Sequence, residues 1–173
     1  MLTQQLLKEY FDYKDGMLYS RCKSGARKAV GEPAATRHLS GYYRLSVRGC
    51  LYYLHDLVFL YHTGTLPELV DHINMDPGDN RIENLRACTH SQNHYNQGKI
   101  RTRAAIASKW KGVCWDKRRN CWVACASLNK KFKFLGYYPA NEEAAAAMAY
   151  NLFAAEHHGE FARFNVSEAN YYE

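Results

Sequence analysis

No Cys-x-x-Cys pair occurs among the six cysteines (Cys22, Cys50, Cys88, Cys114, Cys121 and Cys125). A zinc ribbon or finger therefore lacks its usual ligand spacing. Cys121 and Cys125 would share one face of a strand, but that pair alone is too thin a signal for a metal site. No run approaches the roughly 20 apolar residues of a membrane span. The opening MLTQQLLKEYFDY carries acidic residues and lacks the apolar core of a signal peptide. There is no long internal repeat. These absences lead us to expect a soluble cytoplasmic protein with free thiols, no membrane partner and no evident protein partner.

Acidic side chains are nearly missing from one stretch. Residues 98–135 hold eleven Lys/Arg against the single Asp116, interleaved with Trp110, Trp115 and Trp122. That concentration of cations and aromatics is the footprint of a polyanion partner. The ends differ: residues 1–97 are nearly balanced and residues 136–173 are acidic. The whole chain has 173 residues, 47% of them hydrophobic, which is enough for a packed core in one ordinary domain or two small ones.

Strand and helix signals alternate along the chain, so we expect an α+β fold. Asp15-Gly16 and Arg48-Gly49 mark hairpin turns. Apolar spacing predicts one helix over 55–62 that stops near Gly64. Residues 98–109 read as a basic linker. Three strands follow near 111–116, 121–127 and 131–137. A final alanine-rich helix runs from an Asn141 N-cap to about His157, with Gly159 as its stop.

The segment with the most chemistry is 69–97. Leu69 and Val70 deliver Asp71 and His72 side by side. A loop rich in Asp, Asn, Pro and Gly follows, then a short strand over 84–89 and a polar segment with Ser91 as a candidate N-cap. Neighbours on a strand point to opposite faces, so Asp71 and His72 share a site only at a strand end or bulge.

The ordered motifs Asp71-His-Ile-Asn74, Asp79-Asn-Arg-Ile-Glu-Asn-Leu-Arg86 and Ser91-Gln-Asn93 resemble the HNH, or ββα-metal, endonucleases of phage type. The resemblance implies a metal-dependent hydrolase of DNA phosphodiesters. In it His72 is the general base, and Asn84 holds the loop and orients His72. Asp71 and Asn93 bind one Mg²⁺ or Mn²⁺ per site, since an amide oxygen in place of a third-position histidine suits a hard cation. His94 is the alternative ligand to Asn93, and His55 is read as structural. Asn74, Asp76, Asp79 and Asn80 are read as loop formers, and Arg81 and Arg86 as DNA-backbone contacts.

Residues 110–165 resemble an AP2-like domain on Trp110-Lys-Gly-Val-Cys-Trp115, Cys121-Trp-Val-Ala124, Phe134-Leu-Gly-Tyr-Tyr138, the helix from Glu142 to Tyr150 and Gly159–Asn165. That resemblance implies a three-stranded antiparallel sheet packed on one helix, reading the major groove of double-stranded DNA. Lys111, Trp115, Lys117, Arg118, Arg119, Trp122 and Lys131 are then candidates for the DNA face. Strand alternation leaves open whether Trp115 and Trp122 face outward or pack inside.

The expected organisation is thus a nuclease module over 1–97, the linker, and a DNA-binding module over 110–173. With one nuclease site per chain, a monomer would nick, as a free-standing homing-type enzyme of phage would. A DNA-binding regulator with a decayed nuclease motif, or an RNA-directed protein, are the other readings.

Overall fold

Thr3 opens the first element: its Oγ1 accepts a hydrogen bond from the Leu6 amide at 3.2 Å and caps a helix, α1 (Gln4–Tyr10). The sequence pattern shows only one helix in this region, because a seven-residue helix offers too few turns for a visible period. The structure is a computed structural model describing residues 2–22, 29–99 and 108–165. It divides into two compact units, Met1–Thr89 and His90–Glu173.

In the first unit, β1 (Phe11–Lys14) and β2 (Met17–Ser20) form a hairpin. Its turn places Asp15 at φ 48° and Gly16 at φ 81°, the positive pair of a tight two-residue connection. A Cβ at Gly16 would lie 2.8 Å from the Arg81 amide nitrogen, so this turn must stay bare where it meets the 73–84 loop. A small sheet of β3 (Thr36–Arg37), β4 (Tyr43–Val47) and β5 (Cys50–Tyr53) follows, with Arg48 and Gly49 at its second turn.

The helix α2 (Leu54–Thr63) ends where Gly64, at φ 75°, donates its amide to the Leu60 carbonyl. Leu54, Leu57 and Val58 of α2 pack with Leu7 and Leu18, all fully buried, at the centre of this unit. Each such side chain contributes roughly 1.5–3 kcal/mol of burial free energy. Against this core runs an antiparallel pair, β6 (Leu69–His72) and β7 (Leu85–Cys88), in a regular register that sets Asp71 opposite Arg86 and His72 opposite Leu85.

The second unit begins with α3 (His90–Asn96), one residue ahead of Ser91. Thus α3, grouped by the sequence with the first module, falls in the second unit. Of the expected linker, residues 100–107 lie outside the described residues, as do 166–173 of the expected C-terminal module. The strands β8 (Val113–Asp116), β9 (Cys121–Leu128) and β10 (Lys131–Tyr138) form an antiparallel sheet in the order β10-β9-β8.

Alternate β9 residues Trp122, Ala124 and Ala126 face inward. They pack against α4 (Glu143–His157) through Ala146, Ala147, Tyr150 and Ala154. The small alanines let helix and sheet approach closely. Asn141 does not cap α4; Glu142 holds the N-cap position and makes no side-chain cap bond. Among the described residues no helix is long and apolar enough to cross a membrane.

Gly112 enters β8 at φ +73°, and any Cβ there would overlap the Tyr150 ring and press on the Cys125 carbonyl. Gly112→Ala should therefore destabilise the second unit by roughly 2 kcal/mol or more, from steric overlap and backbone strain together. Chemical denaturation followed by tryptophan fluorescence measures it, since all three tryptophans lie in this unit.

Candidate functional site

The loop between β6 and β7 is built from its own polar side chains. The Asn84 Oδ1 accepts the Asn74 amide at 3.0 Å, while its Nδ2 donates to Asn74 Oδ1 at 3.0 Å and to the Asp79 carbonyl at 2.8 Å. Asn74 Oδ1 also accepts the Asp76 amide, and Asp76 Oδ1 the Gly78 amide, both at 2.8 Å. Short polar side chains bonding to backbone two residues on are the ordinary device for holding such a loop without strands. Met75 takes a positive φ of 62° at its tightest point.

His72 ends β6 at the mouth of this loop and is only 6% exposed. Its Nε2 lies 3.2 Å from Asn80 Oδ1. Asn80 is itself buried, and its Nδ2 donates to the Gly78 carbonyl at 3.1 Å. That second bond fixes which way the amide faces and presents the oxygen to the ring, so His72 Nε2–H donates. The lone pair then resides on Nδ1, the nitrogen that can take a proton.

The sequence reading gave Asn84 both tasks, holding the loop and orienting His72, and treated Asn80 as a loop former. The structure divides the work otherwise: Asn84 spends its amide on the loop, and Asn80 holds the imidazole. Nothing in the spacing of the two asparagines distinguishes them, because both fall in one turn-rich segment.

The other face of His72 meets an aromatic cluster. His55 packs edge-on to it at 4.9 Å between ring centroids, and Tyr42 lies at 6.0 Å. Tyr53 stacks on His55 at 5.3 Å and 13°. His55, at 7% exposure, is thus a direct neighbour of the candidate base, which the sequence reading missed. Burial, with His72 alongside, lowers its pKa to about 4, so it stands neutral near pH 7, its Nδ1 buried without a hydrogen bond. A charged imidazole here would repel a His72 that had just accepted a proton.

Asp71 sits directly across the hairpin from Arg86, whose Nε and Nη2 both donate to Asp71 Oδ2, at 3.1 and 3.0 Å. Both side chains are about nine-tenths buried. Arg86 was expected to touch the DNA backbone, but this pairing and burial assign it to Asp71. The register is regular, so no bulge turns Asp71 and His72 to one side; His72 simply stands at the strand's end. Arg81 is exposed and grips Asp79 with two bonds of 2.8 Å, which hold the Asp79 carboxyl at about 2.

Among the described residues no three His, Cys, Asp or Glu side chains gather as a closed metal site needs. Asp71 is the one buried carboxylate among the described residues, and Arg86 engages its Oδ2; a single carboxylate with water and substrate oxygens is the kind of donor set Mg²⁺ uses. Asn93 is half-buried on α3 and His94 is exposed.

Within the second unit, α3 is fastened by Lys111. Its ammonium donates to the carbonyls of His94, Tyr95 and Gln97, at 3.1, 2.6 and 2.6 Å. A cation on the last carbonyls is a favourable helix terminus. Burial lowers the Lys111 pKa to about 8, with Arg163 adding to the effect. Lys111 was expected on the DNA face, and this capping role removes it.

Trp122 is 8% exposed, with its indole N–H on the Ala140 carbonyl, and Trp115 packs edge-on against it at 4.8 Å. Both pair on the helix side of the sheet, so the tryptophans belong to the core and not to an outward face. Lys117, Arg118, Arg119 and Lys131 are exposed.

With this geometry in view, residues 52–95 match the family model described as HNH endonuclease. The match begins just ahead of His55 and spans the Asp71–His72 strand end, the asparagine-held loop and β7, which supports an HNH nuclease acting on DNA. No curated protein and no solved structure matches the chain.

Truncating Asp71 should strand a buried guanidinium. We expect Asp71→Ala to cost roughly 3–5 kcal/mol of stability. Asp71→Ala combined with Arg86→Met should recover most of it, as measured by urea denaturation.

Acid should also weaken this unit through His55. The unfolded chain takes that proton near pH 6.5 and the folded chain only near 4. Stability is therefore fully present above about 6.5 and lost as pH falls to about 4, by up to about 3 kcal/mol. Asp56, raised by burial to about 6, acts with the opposite sign. In an Asp56→Asn background the unfolding midpoint should fall on acidification across that window, and adding His55→Phe should flatten the profile.

Proposed function

We propose that this chain is a metal-dependent endonuclease that nicks double-stranded DNA, with its second unit contributing DNA contacts. The observation that carries this reading is His72: a buried imidazole at a strand end, its tautomer set by Asn80, inside the stretch similar to HNH endonucleases.

On this reading His72 Nδ1 accepts the proton of the attacking water, and Asn80 keeps the ring in place while its charge appears. A positioned base of this sort contributes roughly 10²–10⁴-fold. Neutral His55 adds no repulsion to the imidazolium. Asp71 is the carboxylate that would hold the cation, exchanging its Arg86 contact for it in part. The divalent ion, when bound, neutralises charge building on the phosphorus and the leaving oxygen. Lys117, Arg118, Arg119 and Lys131, with Arg81, are the proposed phosphate contacts; they position the duplex and carry no sequence information by themselves. One site per chain accords with nicking by a monomer of homing type, and an AP2-like module accords with the sheet and helix order.

A second reading draws on the Asp71–Arg86 pair: a carboxylate neutralised by arginine suits a DNA-binding regulator with a silent nuclease motif.

Conversion of supercoiled plasmid to open circles separates the two. We expect cleavage with Mg²⁺ and none with EDTA. His72→Ala, folded to the same extent by circular dichroism, should lose roughly 10²–10⁴-fold in rate with DNA affinity unchanged. Asn80→Ala should slow nicking and displace its pH profile, as a residue acting through His72 must. Tight DNA binding with no cleavage under Mg²⁺ or Mn²⁺ would sink the nuclease reading in favour of the regulator.

A further inference from the structure

Two thiols stand side by side on β8 and β9. Trp122, Ala124 and Ala126 of β9 face α4, so Cys121, Val123 and Cys125 face the other way. Cys114 of β8 pairs with Val123 and shares that outward side. Cys114 is exposed and Cys125 half-buried. The two are diagonal neighbours across an antiparallel pair, a separation that side chains can span.

Directly opposite Cys125 stands Gly112, whose carbonyl accepts the Cys125 amide at 2.7 Å. With no side chain facing it there, Cys125 is free to turn towards Cys114. The thiols meet in a hydrogen bond that favours the protonated Cys125. The Cys114 S–H in turn donates to the Val123 carbonyl at 3.8 Å. Burial first, and then Cys114, push the Cys125 thiol up to about 11 against the opposing pull of Lys99. A reagent therefore meets Cys114 first, with Cys125 held behind it. Cys121 and Cys125 share a face but lie roughly 13 Å apart along β9, too far to bridge to each other.

We propose that Cys114 and Cys125 form a reversible dithiol site that exchanges with low-molecular-weight disulfides of the glutathione type. First the Cys114 thiolate attacks one sulfur of the small disulfide, whose S–S bond breaks and releases one thiolate. Cys125 then gives up its proton, and its sulfur attacks the Cys114 sulfur and expels the second small thiol. Two protein thiols and one small disulfide become one protein disulfide and two small thiols, so no further oxidant is needed. Diagonal neighbours have Cα atoms about 7–8 Å apart, against roughly 4.4–6.8 Å in a relaxed disulfide. Closure must draw β8 towards β9, and β8 is the edge strand of its sheet. A link closed under that strain is readily reduced, which suits a reversible site and not a permanent staple.

The test incubates the full chain in EDTA with mixtures of reduced and oxidised glutathione. Free thiols are trapped with N-ethylmaleimide and the tryptic peptides mapped by mass spectrometry. Trypsin cuts at Lys117, Arg118 and Arg119 and so separates Cys114 from Cys121 and Cys125, which share one peptide. Fragmentation of the linked peptide and a Cys121→Ser variant tell those two apart. We expect a Cys114–Cys125 link that forms in oxidised mixtures, persists in Cys121→Ser and is reversed by reduced glutathione. Cys125→Ser should stop halfway, with glutathione held on Cys114. Cys114→Ser should take up roughly tenfold less glutathione at Cys125. In the linked chain, amide hydrogen exchange along β8 should slow by roughly tenfold. Circular dichroism checks the serine variants, and the unsubstituted chain carries the linkage test without them. Glutathione that stays on Cys114 with no link, or no reaction at either thiol, would overturn the proposal. So would a link from Cys114 to Cys121, a link between two chains on a non-reducing gel, or one that reduced glutathione leaves intact. Neither DNA binding nor cleavage enters the measurement, so it stands apart from the nuclease reading.

Discussion

The candidate site depends on keeping the loop of residues 73–81, which runs into one 3-10 turn over Ile82–Asn84, in a single conformation. Ordering each such residue costs about 1–2 kcal/mol in backbone entropy, and a single hydrogen bond returns only about 0.5–1.5 kcal/mol net. The loop meets this with short side chains making several bonds each: the side chains of Asn84 and Asn74 take part in three apiece. Only because that net is closed does Asn80 arrive beneath His72 in a fixed orientation. The Asp15-Gly16 turn presses on the same loop from outside, where a glycine alone fits.

Charge is handled in the same economical way around this loop. Asp79 is held by Arg81 and Asp71 by Arg86, so neither carboxylate stands as a bare negative charge. The two pairs differ in setting. The Asp79–Arg81 pair is open to solvent on the arginine side and contributes little to stability by itself. The Asp71–Arg86 pair is buried, and each partner is needed chiefly because the other is there. His55 completes the environment as a neutral ring that burial keeps uncharged near pH 7.

The second unit reuses familiar rules with unexpected assignments. Lysine, which in a basic segment reads as a phosphate contact, serves at position 111 to close the end of α3. Tryptophan, which among cations reads as a stacking residue, serves at position 122 as core. The aromatics left outside are Phe132, Phe134 and Tyr137, and a bulge decides that they share a face.

Turns and several elements were legible in the sequence, since they rest on local conformational preference: Asp15-Gly16, Arg48-Gly49, the stop at Gly64 and the three strands of the second unit all stand close to where their residues place them, while the short α1 left no period to read. The segment bearing Asp71, His72 and the loop asparagines was legible for the same reason, being contiguous. Beyond that, the sequence determined which chemical groups are present and roughly which element each rides on. Tertiary structure alone decided which asparagine grips His72, that His55 stands against it, that Arg86 and Lys111 are occupied, and which aromatics face outward. Those outcomes depend on packing between residues far apart in the chain and on a one-residue shift of register, and neither leaves a periodic trace for the sequence to carry.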